Sequence, residues 1–136
     1  MDDSLAQKIE AANNALIVDG DLDAVENYFT SDYVVHLTDH DIKGGQSSIR
    51  DIIGKLRQSF PDIRVDVEIF LQDDTRIAWQ RTLRGTHQSA FQGFPASGLD
   101  IVWRDMVISQ FRGDRISEEW VLTDLAERLL LSRKRK

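Results

Sequence analysis

Hydrophobic positions along the chain change their period near its middle. In the first half they recur every three to four residues, the spacing of a helix with one buried face. Leu5, Ile9, Ala12 and Leu16 keep this spacing behind Ser4, a favourable N-cap, and predict a helix over 4–18. Asp19-Gly20-Asp21 breaks it. Leu22, Val25 and Phe29 then stack on one face of a short second helix over 22–29. Tyr33-Val34-Val35-His36-Leu37 is a β-rich run, followed by a polar loop over 38–45. Ile49, Ile52, Ile53, Leu56 and Phe60 mark a third helix, capped by Ser47 or Ser48 and ended by Pro61. Beyond Pro61 the period falls to two. Ile63, Val65, Val67, Ile69 and Leu71 alternate with Arg64, Asp66 and Glu68, the pattern of a half-buried strand. A second strand is predicted over 76–85, a glycine-rich loop over 86–98 and a long strand over 99–111. Gly113-Asp114 makes a hairpin turn into a last strand over 115–123, and 125–131 closes as a short helix.

Helices first and hairpin-linked strands afterwards give an α+β fold rather than a parallel βαβ sheet. A strand of a dozen residues twists and curls. Three N-terminal helices on a strongly curved, mostly antiparallel sheet therefore enclose a cone with one open end. The length of 136 residues suits one domain over 1–136, with 132–136 a basic, disordered tail. The chain has no cysteine, which excludes disulfides, a thiolate nucleophile and cysteine-held metals, and fits a reducing compartment. It has no apolar run long enough to span a membrane, and Met1-Asp2-Asp3-Ser4 is acidic where a secretion signal is basic. A cytoplasmic location without a membrane partner is the expectation. The net charge is -6, and taking away the four charges of Arg133-Lys134-Arg135-Lys136 leaves -10 on the rest. Such a surface repels phosphate backbones, so no nucleic-acid partner is expected.

Four phrases carry a family resemblance: Phe60-Pro61-Asp62-Ile63-Arg64, Leu83-Arg84-Gly85-Thr86-His87, Gly93-Phe94-Pro95-Ala96-Ser97-Gly98 and Glu118-Glu119-Trp120-Val121-Leu122-Thr123-Asp124. Their order and spacing resemble the SnoaL-like proteins, the polyketide-cyclase branch of the NTF2-like superfamily, over about residues 20–131. The resemblance implies an NTF2-like cone that pairs as a homodimer through the outer faces of its sheets. It also implies an intramolecular aldol cyclisation of an aromatic polyketide ester, without metal or organic cofactor. The acid/base aspartate that follows the tryptophan of the final strand maps onto Asp124.

The residues themselves leave several roles open. On the last strand Ile116, Glu118, Trp120, Leu122 and Asp124 share one parity, and Trp120 and Leu122 mark that side as the interior. Asp124 then ends the strand on the pocket side, where desolvation raises a carboxylate toward the working range of a general base. The alternative is that it caps the helix starting at Leu125. Ile77, Trp79, Arg81 and Leu83 share a face of the second strand. A buried Arg81 pairs with Asp105 or Asp124, or binds an anionic or carbonyl group of a ligand. Many relatives carry an apolar aromatic at the position of Arg81. The long strand alternates Ile101, Trp103, Asp105 and Val107 with Val102, Arg104, Met106 and Ile108, giving a pocket side and a dimer side. It offers Asp105 and Gln110 as polar groups but no histidine.

His36 stands where relatives often line the pocket, so it is the second catalytic candidate, against a structural hydrogen-bonded role. His87 reads as a loop-fixing residue and His40 as exposed. Trp79, Trp103 and Trp120 form either core or an aromatic box for a planar, apolar ligand. Phe94, in Phe91-Gln92-Gly93-Phe94-Pro95, belongs to a lid or to a packed loop. The histidines of His36-Leu37-Thr38-Asp39-His40-Asp41 lie roughly 13 Å apart on an extended chain, so no metal site is expected. Phosphate loops, serine elbows and dinucleotide fingerprints are missing, and no cofactor is expected. The leading function is cofactor-independent removal of a proton next to a carbonyl by Asp124, with His36 nearby. The alternatives are a non-catalytic small-ligand binder, an isomerase, or an epoxide hydrolase using Asp105, Arg81 and Asp124.

Overall fold

The helices and strands follow the predicted order closely, in a computed structural model that describes residues 4–38 and 40–133, the Ser4 side chain excepted. Helix α1 (Ser4–Asn13) runs on as a π-helical segment, Asn14–Val18. A 3₁₀ turn, Leu22–Ala24, leads into α2 (Val25–Tyr28), and Phe29 already opens β1 (Phe29–His36). There follow β2 (Asp41–Ile42), α3 (Gly45–Ser59), β3 (Arg64–Gln72), β4 (Arg76–Thr86), β5 (Asp100–Arg112), β6 (Arg115–Thr123) and α4 (Leu125–Arg133). The start of α3 differs from expectation. Its N-cap is Gly44, and the Ser47 and Ser48 hydroxyls donate back to the Gly44 and Gly45 carbonyls inside the first turn, at 2.9 and 2.7 Å. The end of α4 differs too. Ser132 is buried and Arg133 is helical, so the helix takes in the first two residues of the expected tail; 134–136 lie outside the described residues.

The strands form one curled, open sheet in the order β2-β1-β6-β5-β4-β3. Only β1 and β6 run parallel. Leu5 and Ile9 of α1, Leu16 and Ile17 of the π-helical segment, and Ile49, Ile53 and Leu56 of α3 join the inner face of the sheet in one core. None of the described helices is long and apolar enough to cross a membrane.

Two β-bulges decide which side chains enter the cone. In β6, Gln110 pairs with Glu118 but Phe111 pairs with Ile116, so Ser117 is an extra residue. Ile116 and Ser117 are both buried, and beyond them the parity is inverted. Glu119 points in, with 8% of its surface exposed, whereas Trp120 is half-buried on the outer face and Leu122 is 59% exposed. The expected interior row of Glu118, Trp120 and Leu122 is thus corrected by one inserted residue. In β3, Phe70 is the extra residue between the pairs Ile69–Trp79 and Leu71–Ala78, and it turns Leu71 outward.

Two of the family-like phrases lock together. Asp62 accepts the Thr86 backbone N–H and hydroxyl, both at 2.8 Å. Those bonds, the backbone one foremost, hold its carboxyl below the ordinary aspartate range. Phe60 stacks on His87 with ring centroids 5.3 Å apart, and a Cβ at Gly85 would lie 2.9 Å from that of Phe60. The glycine is what lets the end of α3 lie against β4.

The turn after α1 depends on another close approach. Gly20 has φ +71°, and a Cβ there would lie 2.5 Å from Arg57 Nε. The same Arg57 donates from Nη1 to the carbonyls of Ile17 and Val18, at 2.5 and 2.7 Å. Gly20→Ala combines left-handed backbone strain of about 1–2 kcal/mol with displacement of this clamp. Urea unfolding is expected to show a lower midpoint with an unchanged slope; an unchanged midpoint would contradict the account.

Candidate functional site

The inverted parity of β6 brings an acid of the last strand into the cone. Glu119 faces Ser109 of β5 and Val35 of β1 across the ladder. Tyr33, on β1, donates its hydroxyl to Glu119 Oε1 at 2.6 Å. The Ser109 hydroxyl donates to Oε2 and itself accepts the Trp79 indole N–H at 2.9 Å. Burial pushes the Glu119 carboxyl above the 4.5 of a free glutamate. The Ser109 and Tyr33 bonds and the Arg81 charge offset only part of that rise.

Arg81 and Asp105 are cross-strand partners, and Arg81 Nε donates to Asp105 Oδ2 at 2.7 Å. Arg81 Nη1 also donates to Asn13 Oδ1 at 3.0 Å, while the Asn13 amide donates to the Ile9 carbonyl at 2.8 Å. Burial alone would lower the Arg81 pKa, but Asp105, Glu119 and Tyr33 outweigh it and hold the guanidinium charged. Arg81, Glu119 and Asn13 line one interior cavity of about 40 Å³ with Ile9, Leu16, Ile53 and Trp79. That is room for water-sized molecules.

A second, larger cavity lies on the outer face of the sheet. It measures about 480 Å³ and is walled by Phe70, Met106, Ile108, Trp120 and Leu122, with His36 among its lining residues. His36 stacks on Trp120 (5.2 Å, 22°) and sits between two carboxylates, Asp41 Oδ1 2.7 Å from Nδ1 and Glu118 Oε2 2.5 Å from Nε2. Only the imidazolium has an N–H for each. The bond to Glu118, then that to Asp41, raises the His36 pKa above 6.5. This contribution to stability is complete below 6.5 and fades as pH rises through the folded value.

The sequence-derived candidates therefore separate. Arg81 and Trp79 line the interior cavity, and Asp105 pairs with Arg81, one of the two partners considered. Trp103 is core, 4.8 Å from Phe60. Trp120 and His36 belong to the outer face, so the three tryptophans form no single box. Asp124 lines neither cavity. Its carboxylate accepts the Arg104 N–H (2.8 Å) and the Arg128 Nε–H (3.1 Å), while its carbonyl starts the hydrogen bonding of α4. Phe94 sits in a tight turn closed on Phe91 by two backbone bonds, with Phe91 packed on Phe60. His87 is buried in the loop that follows β4, and His40 is exposed, as expected. Asp39 lies outside the described residues, among which no group of three or more His, Asp or Glu is placed to hold a metal.

Glu119, Tyr33, Ser109 and Asn13 were not singled out from the sequence. Signals for two of them exist. Neighbouring Glu118 and Glu119 on one strand place an acid on each face whatever the register. Asn13 falls four residues after Ile9, on the apolar side of α1.

Comparison with known proteins supplies the lineage. The fold is similar to that of IdmH from Streptomyces antibioticus, a candidate polyketide cyclase, at 25% identity over 96% of this chain and 98% of that one, with a TM-score of 0.79. It is similar to a candidate polyketide cyclase from Acidithiobacillus ferrooxidans at 20% identity, 96% and 95% coverage and a TM-score of 0.81. It is also similar to AclR from Streptomyces galilaeus, a candidate hydroxylase, at 23% identity, 96% and 93% coverage and a TM-score of 0.76. No curated protein matches the chain. A sequence pattern for SnoaL-like polyketide cyclases matches residues 7–130, from α1 to α4, and the chain belongs to that family.

Proposed function

We propose that the chain is a cofactor-independent enzyme that moves a proton next to the carbonyl of a small, neutral, mainly apolar substrate, in the interior of the cone. One observation carries this reading: a buried acid and a half-buried cation line the same cavity. Glu119 is the base. Its raised pKa brings it toward the range in which a carboxylate both takes and returns a proton. Arg81 receives the carbonyl oxygen and stabilises the charge that develops there as the neighbouring C–H proton passes to Glu119. The carbanion carbon can then attack a second carbonyl of the same molecule, forming the new C–C bond. The resulting alkoxide takes the proton back from Glu119, so nothing is consumed. Tyr33 and Ser109 fix the carboxylate, and Asp105 and Asn13 fix Arg81. A ring-sized substrate enters by displacing part of the α1 wall, since the cavity of about 40 Å³ is smaller than such a molecule. Asp124 and His36, the expected pair, take structural roles in this reading.

A second reading, opening of an epoxide by water, draws on the same set with Glu119 in place of Asp124: two buried carboxylates around Arg81 and space for water.

The outer groove supports a homodimer. Met106, Ile108, Leu122 and Phe70 leave an apolar sheet face open, of the kind that pairs with a copy of itself.

Two experiments test these statements. Deuterium wash-in from D₂O at the acidic carbon of an aryl β-keto ester reads the first proton transfer. Glu119→Gln is expected to slow it by about 10²–10⁴-fold while the fold is kept. The wild-type rate should climb with pH through a midpoint above 4.5. Equal wash-in for both proteins would overturn the assignment, and diol formation from styrene oxide without wash-in would select the second reading. The sign for stability is opposite. The unfolded chain loses the Glu119 proton first, so wild-type stability falls from pH 4.5 upward through the folded value, and Glu119→Gln removes that fall. For the dimer, Ile108→Lys should convert a sedimenting dimer to a folded monomer; a monomeric wild type would rule the pairing out.

A further inference from the structure

Trp79 touches both halves of the proposed site. It stands two residues before Arg81 on the inner face of β4, and the Arg81 guanidinium lies over its ring, 5.3 Å from the centroid. In the ladder, Trp79 pairs with Val107 and Ile77 pairs with Ser109, so the indole reaches Ser109 along a diagonal from β4 to β5. Its N–H donates to the Ser109 hydroxyl at 2.9 Å, and that hydroxyl donates to Glu119 Oε2 on β6. Both Trp79 and Ser109 are buried. The chain of bonds runs in one direction only. An indole N–H donates and never accepts, and a hydroxyl has a single proton. Ser109 therefore receives from Trp79 and gives its proton to Glu119.

We infer that Trp79 is a positioning residue shared by the acid and the cation: its ring face seats Arg81, and its N–H, relayed through Ser109, orients the Glu119 carboxylate. One side chain thereby fixes the two groups relative to each other across three strands. Asp105 and Asn13 hold Arg81 through its N–H groups, which leaves the flat face of the guanidinium for the indole. Trp79 also lines the interior cavity beside Arg81 and Glu119, so its seat is at the site and not behind it. A packed indole is rigid, and groups locked by such neighbours keep the geometry that charge stabilisation requires. The relay also strengthens its last bond, because a hydroxyl that accepts a hydrogen bond donates more strongly. Among the interactions that hold the Glu119 carboxyl down against burial, the Ser109 bond is the largest. The catalytic value of this arrangement rests on the proton-transfer reading, whereas the relay acts on Glu119 with or without substrate.

The test follows Glu119 itself, by carbon-13 NMR titration of its carboxyl in the full chain. Ser109→Ala removes a donor to the carboxylate and should move the midpoint upward. Trp79→Phe has no N–H and should move it the same way by less. The double variant should titrate like Ser109→Ala alone, because Trp79 reaches Glu119 through Ser109. An unmoved midpoint in Trp79→Phe, or shifts that add in the double variant, would overturn the relay. If Trp79→Phe fails to fold, benzothienylalanine at position 79 keeps the shape and ring face, replaces the N–H by sulfur and should give the same upward move. Deuterium wash-in reads the seat of Arg81. Below the midpoint Ser109→Ala should be about 10-fold slower, the order set by a hydrogen bond to a charged group. Trp79→Phe offers Arg81 a smaller ring and should also be slower above the midpoint, where Glu119 is already ionised, while the benzothienyl variant stays closer to wild type there. Loss of the N–H and loss of the ring face having the same effect above the midpoint would overturn the seat. Wild type without wash-in, together with the expected titrations, would sink the proton-transfer reading and leave the relay standing.

Discussion

Arg81, Asp105 and Glu119, gathered inside one small cone, set the terms for the rest of the molecule. Taking a single charge out of water costs several kcal/mol unless a partner or a proton neutralises it. Arg81 and Asp105 meet this by pairing, and Glu119 meets it by shifting toward its neutral form. Each solution draws in other elements. Arg81 reaches Asn13 on α1, and Glu119 reaches Tyr33 on β1 and Ser109 on β5. The network thus ties α1 and β1 to β4, β5 and β6 at one level of the cone, and small displacements of any of them leave a buried polar atom unsatisfied.

How much of this could be read in advance depended on where the strands were regular. β4 and β5 pair without interruption from Arg76–Gln110 to Thr86–Asp100. Alternation therefore placed Ile77, Trp79, Arg81 and Leu83, and Ile101, Trp103, Asp105 and Val107, on the inner face. The Arg81–Asp105 pair was among the partners considered for that reason. In β6 the rule failed at Ser117. No local propensity marks a bulge there, and Trp120 and Leu122 looked like interior residues because they are apolar. They are apolar because the outer face carries its own hydrophobic groove. Asp124 and His36 were drawn to the pocket by family likeness and by chemical type. Their partners, Arg104, Arg128, Asp41 and Glu118, come from elements whose packing only the folded chain reveals.

Two of the phrases that made the family recognisable turn out to be about packing, whereas the last one brings Glu119 to the interior cavity. Asp62 anchors Thr86, Phe60 stacks on His87, and Gly85 allows the approach. The loop beyond is stapled to α3, where Gln88 N–H donates to the Ser59 carbonyl at 2.8 Å and the Ser59 hydroxyl donates to the Ala90 carbonyl at 3.0 Å. These contacts hold the end of α3 against β4 and the following loop, and none of their side chains lines the interior cavity. A motif can therefore be strong support for a fold while carrying little of the chemistry.

The two cavities divide apolar area from ionisable groups. The outer groove has more than ten times the volume of the inner cavity, yet the titratable group it offers, His36, already has a carboxylate on each ring nitrogen. A histidine so held cannot accept a proton from a substrate without first losing a partner. The inner cavity is small and holds an acid, a cation and an amide in low-dielectric surroundings, where each interaction is stronger than in water. Stabilising charge as it develops requires groups fixed before the reaction begins. Volume can be gained by moving apolar side chains of α1, whereas an ordered set of charges cannot be assembled on demand. The proposed chemistry therefore goes with the smaller space.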